Sequence, residues 1–221
     1  MATSTWLAAA VEPAEWAALT AKWGERPLVA VASAVDHPFL SGEHQELVKN
    51  GRRAEICYVM HRGDPAQGVL LQRKLYYPDD CFRLPTGGIH SGEAVEETLQ
   101  REIYEETGLM VGAGESEVHV EAFLGAVHYR LFHRLWGRTA DFATYAFLVR
   151  MPAGAELDPQ DEEEQLAGWR WLPAPELAGV ANALASLHLR AAEWGDWGRF
   201  RAIAHQHVSQ WLDALATPAS G

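Results

Sequence analysis

Between Leu84 and Leu109 the chain reads LPTGGIHSGEAVEETLQREIYEETGL, a glycine-rich stretch running into a segment dense in glutamate. Six glutamates and one arginine fall between Glu93 and Glu106. A solvated helix face would explain such a run, but its apolar positions argue otherwise for one edge. Val95, Leu99 and Ile103 recur every fourth residue and form a ridge that must pack on something. Glu102 and Glu106, one turn apart, lie directly beside that ridge, with Glu105 at their flank. Like charges at this spacing repel by roughly 0.2–0.5 kcal/mol even when exposed, and more where solvent is partly excluded. A divalent cation removes that penalty, and carboxylate oxygens are what hard Mg²⁺ or Mn²⁺ prefers. Arg101, four residues after Glu97 and four before Glu105, can bridge both. Spacing alone leaves two readings open, a metal site and an ion-paired solvated helix.

Ser91 is placed to cap this helix, Glu93 to sit near its first turn, and Gly108 to end it after about Thr107. Around it, strands are expected at Ala54–His61, Gly68–Lys74, Glu117–Leu131, Ala140–Arg150 and Trp169–Leu172, from β-branched and aromatic enrichment bounded by turn residues. The long pair reads as an antiparallel hairpin whose link contains Trp136, Gly137 and Arg138. Cys81–Leu84 reads as a brief extended piece, and Pro152–Gln165 as irregular. A short N-terminal helix, Pro13–Trp23, carries Trp16, Leu19 and Trp23 on one stripe, with Pro13 suited to its first turn. A short strand at Leu28–Val35 and a polar connector from Asp36 to Arg53 follow it. Near the C-terminus Pro175 opens a helix with Leu177, Val180, Leu184 and Leu187. A last helix from about Trp197 presents Phe200, Ile203, Ala204, His207, Val208 and Trp211 on one face. Long apolar strands must bury both sides, so the expected fold class is α/β, an α/β/α sandwich around a mixed, partly antiparallel sheet with extra N- and C-terminal helices.

Composition narrows the partners. Thirty acidic residues against eighteen lysines and arginines leave a formal charge of -12, a poor match to nucleic acid or an anionic membrane. The two cysteines, Cys57 and Cys81, sit in apolar stretches without metal-ligand spacing and read as reduced interior thiols. The first residues, MATSTWLAAAV, lack the basic start of a signal peptide, and no run reaches the roughly 18 apolar residues of a membrane span. The expected location is the cytoplasm.

The segment from Gly87 to Leu109 resembles the signature of the Nudix hydrolases: Gly, five residues, Glu, seven residues, Arg-Glu, an aliphatic residue, any residue, Glu-Glu, any residue, Gly, an aliphatic residue. Gly87, Glu93, Arg101, Glu102, Ile103, Glu105, Glu106, Gly108 and Leu109 fill all nine places. The resemblance implies a hydrolase domain over residues 51–190, an N-terminal extension over 1–50, and a C-terminal helix over 191–221 packed on the domain. It implies Mg²⁺ or Mn²⁺ held by Glu102, Glu105 and Glu106 with the backbone carbonyl of Thr86. Glu93 would reach into the metal network or brace Arg101. Gly87, Gly88 and Gly92 would make the loop, with Gly87 and Gly88 close to substrate.

The implied chemistry is hydrolysis of a pyrophosphate bond in a nucleoside diphosphate joined to another group. Glu105, Glu164 and Arg101 form the expected catalytic set. The base is a box glutamate such as Glu105, or an acid of the DPQDEEE loop, with Glu164 first and Glu163 next. Arg83 is the expected substrate-phosphate contact, although it and Arg73 could equally pair with surface acids. Tyr76, Tyr77 and Phe82 read as packing residues rather than base-stacking ones, His205 and His207 as helix-face residues, and Trp194, Trp197 and Trp211 as core or interface. The expected partner is a small-molecule nucleotide, with no nucleic acid and no membrane. The aromatic surplus of the two termini would either cap the domain or bury against a second copy, giving a homodimer. Two other activities fit the same fold: a non-catalytic nucleotide-binding module, and isomerisation of isopentenyl diphosphate.

Overall fold

The computed structural model describes residues 10–36, 47, 52–135 and 137–216. The connector expected from Asp36 to Arg53 falls mostly outside the described residues, as do Trp136 of the hairpin link and residues 217–221 of the C-terminal section. Eleven regular elements follow in chain order: α1 (Pro13–Trp23), β1 (Leu28–Val35), β2 (Ala54–His61), β3 (Val69–Lys74), β4 (Thr86–Ile89), α2 (Val95–Thr107), β5 (His119–His133), β6 (Arg138–Arg150), β7 (Leu166–Leu172), α3 (Leu177–Ala185) and α4 (Gly195–Ala216). The seven strands form one mixed sheet in the order β1-β5-β6-β2-β3-β7, with β4 paired to β2. β5 and β6 are antiparallel, whereas β1 lies parallel to β5 and β2 parallel to β6.

All eight residues of β2 are buried, as a strand covered on both faces requires. Ile56, Tyr58 and Met60 face one way and join Val95, Leu99 and Ile103 of α2 and Leu19 of α1 in one core. Cys57 and Val59 face the other way and pack with Leu177 of α3 and Val208 and Leu212 of α4. Helices therefore cover both faces, and the expected α/β/α sandwich is what the chain forms. Burying each of the three α2 ridge residues contributes roughly 1.5–3 kcal/mol. That packing sets which edge of α2 meets the sheet.

Several local expectations are revised. Gly87 and Gly88 belong to β4, where they pair with Ile56 and Glu55 of β2, and are not part of a loop; Gly92, with φ of +83°, is the one in a turn. Ser91 does not cap α2. The helix starts at Val95, and Glu97 accepts the N–H of Ala94 instead of pairing with Arg101. Gly108 ends the helix in the left-handed region at φ of +73°. The acidic loop contains a single 3₁₀ turn, Glu162–Glu164, and β7 begins earlier than expected, at Leu166.

The terminal aromatics are accounted for within one chain. Trp16 packs edge-on against Phe123. Trp194 and Trp197 pack on Tyr77, and Phe200 on Tyr129 and Phe142. Of the two roles open to them, capping the domain is the one these side chains fill, so they supply no observation for a homodimer.

Candidate active site

The edge of α2 and the strand in front of it form the site. Arg101 is its hub: Nε and Nη2 donate to the two oxygens of Glu93 at 2.8 and 3.1 Å, and Nη1 donates to Glu102 and Glu105, both at 2.8 Å. Nη2 also donates to the carbonyl of Gly88 at 3.0 Å, tying the helix to β4. Of the two roles open to Glu93, bracing Arg101 is the one this geometry shows. A Cβ on Gly87 would fall on the carboxylate of Glu102, so only glycine lets β4 lie this close to the helix.

One turn further along α2, Glu106 is fully buried beneath the sheet. Tyr58 Oη of β2 donates to it at 2.5 Å and Gln72 Nε2 of β3 at 2.7 Å, while Lys74 Nζ lies 3.8 Å away. Lys74 also pairs with Glu164, so one ammonium links the helix carboxylate to the acidic loop. Tyr58, Gln72 and Lys74 escape notice in the sequence because they precede the signature and reach it only through sheet pairing. Their one signal is the polar pair Gln72 and Lys74, two residues apart on one face of an otherwise apolar strand.

The electrostatics are those of crowded carboxylates. Burial pushes Glu106 up to about 8, with Lys74 opposing and the charges of Glu164 and Glu102 adding to the rise. Burial also raises Glu102, Arg101 opposing and Glu164 and Glu105 adding. Burial works against ionisation of Glu164 too, but Lys74, with a hydrogen bond from Glu106 and the charge of Arg83, more than reverses it, and this carboxyl sits below its ordinary range. Among the described residues no three acidic, imidazole or thiol side chains already stand as a cage for an ion; Arg101 holds two of the three box carboxylates. The donor set still suits a hard divalent cation: it is all oxygen, and Glu102 and Glu106 are buried in one another's field.

Arg83 is placed differently from expectation. It is 2% exposed, with Nε and Nη2 on Tyr77 Oη and Nη1 on the Leu84 carbonyl and Thr86 Oγ1. Its donors face the interior, where five N–H groups must find acceptors, and it offers none to a substrate phosphate. It fixes the segment that carries Thr86. Arg73 lies 3.5 Å from the exposed Asp79. Tyr77 is buried packing, as expected, and Arg170 stacks on Phe82.

His205 is not a helix-face residue. It is buried on α4, where Nδ1 meets the Arg201 carbonyl at 2.7 Å and Nε2 meets the Leu84 N–H at 2.8 Å. The second contact requires Nε2 to accept, so the ring is neutral with its proton on Nδ1. Burial pushes its pKa down to about 3.

The RNA pyrophosphohydrolase of Roseobacter denitrificans is 32% identical over 100 residues, which are 44% of this chain and 62% of that protein. The RNA pyrophosphohydrolase of Cellvibrio japonicus is 39% identical over 70 residues, 31% of this chain and 39% of that one. Among solved structures, the E. coli dihydroneopterin triphosphate pyrophosphohydrolase aligns over 57% of this chain and 84% of its own, at 22% identity and a TM-score of 0.44. A family model described as the NUDIX domain matches residues 51–197. That match takes in the whole loop-and-helix signature together with the strands that bury Glu106 and pair with Glu164, and on it this chain belongs to the NUDIX domain family.

Proposed function

We propose that this chain hydrolyses a pyrophosphate bond in a nucleoside diphosphate linked to another moiety, such as ADP-ribose, a dinucleotide or a nucleotide sugar, with Mg²⁺ or Mn²⁺. The observation that carries this reading is the Arg101-centred array, which aligns Glu93, Glu102 and Glu105 beside the buried Glu106. Glu102, Glu105 and Glu106, with the Thr86 carbonyl, would hold the metal. When bound, the ion supplies charge neutralisation at the phosphoryl oxygens and activation of a water.

The chain's own groups do the rest. Arg101 orients the carboxylates; it is a positioning residue, since its donors are spent on them and on Gly88. Glu164, kept ionised by Lys74, takes a proton from the attacking water, and Glu105 is the alternative base. The water oxygen bonds to one phosphorus, the P–O bond to the bridging oxygen breaks, and the second phosphate leaves with that electron pair. The products are two phosphate monoesters. A cytoplasmic setting goes with this reading, supported by two buried and unpaired cysteines, Cys57 and Cys81. Among the described residues no helix is long and apolar enough to cross a membrane.

A second reading, removal of pyrophosphate from an RNA 5′ end, is favoured by the names of the relatives. Phosphorus NMR of ADP-ribose, a dinucleoside polyphosphate, a nucleotide sugar and a 5′-triphosphorylated oligoribonucleotide, each with Mg²⁺ and Mn²⁺, separates the two. Nucleoside monophosphate from the small molecules supports the first reading, and pyrophosphate from the RNA alone supports the second. Tight binding with every substrate unchanged would instead describe a non-catalytic module.

A further inference from the structure

Two adjacent arginines enter β2, and they are treated unequally. Arg53 turns inward and is fully engaged, with Glu15 at 2.7 and 3.0 Å and the Glu93 carbonyl at 3.1 Å. Arg52 is half-buried, and its Nε is shut off from solvent without a hydrogen-bond partner. Buried donors without acceptors are uncommon and call for an explanation. In a chain with a formal charge of -12, an arginine that finds no carboxylate among the described residues is stranger still.

Its position supplies the explanation. The guanidinium lies where a Cβ of Gly88 would stand, just as the Glu102 carboxylate lies where a Cβ of Gly87 would stand. Neighbouring residues of an extended strand point to opposite faces, so β4 carries carboxylate on one side and guanidinium on the other. The Gly88 carbonyl meanwhile accepts from Arg101, which places Arg52 one residue from the hub of the site. The carboxylate opposite Gly88 in the β2–β4 ladder is that of Glu55, and it is already held by Arg201 at 2.6 and 2.7 Å and by Thr144 at 2.8 Å. Among the described residues β4 pairs with β2 alone.

We propose that Arg52 is an anion subsite for one phosphoryl group of the substrate, held against Gly88 on the face of β4 opposite the box carboxylates. The planar fork of an arginine matches phosphate oxygens. A diphosphate at the outer edge of β4 meets the oxygen ligands on one side and Arg52 on the other, which fixes which phosphorus faces the attacking water. Here Arg52 takes the phosphate-binding role that the sequence suggested for Arg83. The proposal rests on the pyrophosphohydrolase reading, and its test does not need turnover.

The test is calorimetric titration of the full chain with inorganic pyrophosphate and with α,β-methylene-ADP in Mg²⁺, and with adenosine as the uncharged probe. Arg52→Ala is expected to weaken both phosphorylated probes by roughly tenfold or more, the worth of a lost charge-assisted contact, and to leave adenosine unchanged. Arg52→Lys should fall between. Should Arg52→Ala fail to fold by its thermal transition, Arg52→Gln, which keeps most of the length without the charge, is read in its place. Affinities for pyrophosphate within twofold of wild type, or an equal loss for adenosine, overturn the subsite. Loss of pyrophosphate affinity in Arg52→Ala, in a chain that hydrolyses no nucleotide, would leave Arg52 assigned while sinking the enzymatic reading.

Discussion

Glu106 is the residue where stability and function pull in opposite directions. Its carboxylate is fully buried between Tyr58 and Gln72, raised to about 8 by burial and by its acidic neighbours. Glu106→Gln keeps the side chain's size without opening a cavity or leaving a group that can ionise, and the amide can still accept one of those donors. The metal-free variant should therefore melt at or above the wild-type temperature, while its Mn²⁺ affinity falls steeply. Titration showing wild-type Mn²⁺ affinity would remove Glu106 from the ligand set. Glu164 makes a separate prediction, because Lys74 already keeps it ionised. If it is the base, Glu164→Gln should cut kcat by about 10²–10⁴-fold and leave metal affinity nearly intact. The exposed neighbour Glu163 is the control, and its Gln variant should change the rate only a few-fold. Near wild-type kcat in Glu164→Gln at saturating Mg²⁺ would move the base to Glu105. The box acids could be read from the sequence because all of them ride on one helix, where spacing converts directly to position. Tyr58, Gln72 and Lys74 could not be, because only the ladder of β2 and β3 brings them to Glu106.

At the scale of elements, punctuation and period explain what was legible. α1 begins at a proline and stops before Gly24, β2 is a short run enriched in β-branched, aromatic and other apolar residues, and both match their expected limits residue for residue. β4 was hidden because TGGI carries two residues that weaken strands. It is a strand because β2 pairs with it and because Glu102 and Arg52 fill the space its glycines leave. α4 was visible as a helix, but its polar cargo was not. Arg201 and His205 are buried side chains that brace β2 and the segment entering β4. His205 makes this brace sensitive to acid. Its folded-state pKa is near 3, held down by burial and by the charges of Arg83 and Arg201, while the unfolded chain protonates near its ordinary value of about 6.5. Between those limits the unfolded state binds the extra proton, so this residue's contribution to stability falls as pH falls, by at most about 1.4 kcal/mol per unit. His205→Gln keeps an acceptor for Leu84 and has no proton to gain. Denaturant melts at pH 7 and pH 4.5 should show the wild type losing about 2 kcal/mol more than the variant over that interval. Equal losses would mean that His205 is not neutral in the folded chain.

At the scale of the whole molecule, net charge gives the two substrate readings opposite salt dependences. A chain of formal charge -12 repels a polyanion at long range, and salt screens that repulsion: the Debye length shrinks from about 30 Å at 0.01 M to about 8 Å at 0.15 M. A site built for RNA would instead line up cations along the strand, and its affinity would fall steeply with salt as counterions are released. Here the cations nearest the site are largely committed within it. Arg101 and Lys74 serve carboxylates, Arg53 serves Glu15, and Arg83 is turned inward. Arg52 alone among these is left for an external anion, enough for one phosphoryl group and too little for a strand. The expected outcome is a kcat/KM on a 5′-triphosphorylated oligoribonucleotide that rises as monovalent salt goes from 10 to 150 mM at fixed Mg²⁺. Under the same change, the value for an ADP-ribose-sized substrate should move far less, because it carries few charges. A steep fall for the RNA would show that it is held along a basic track, and would favour the RNA reading over the small-molecule one.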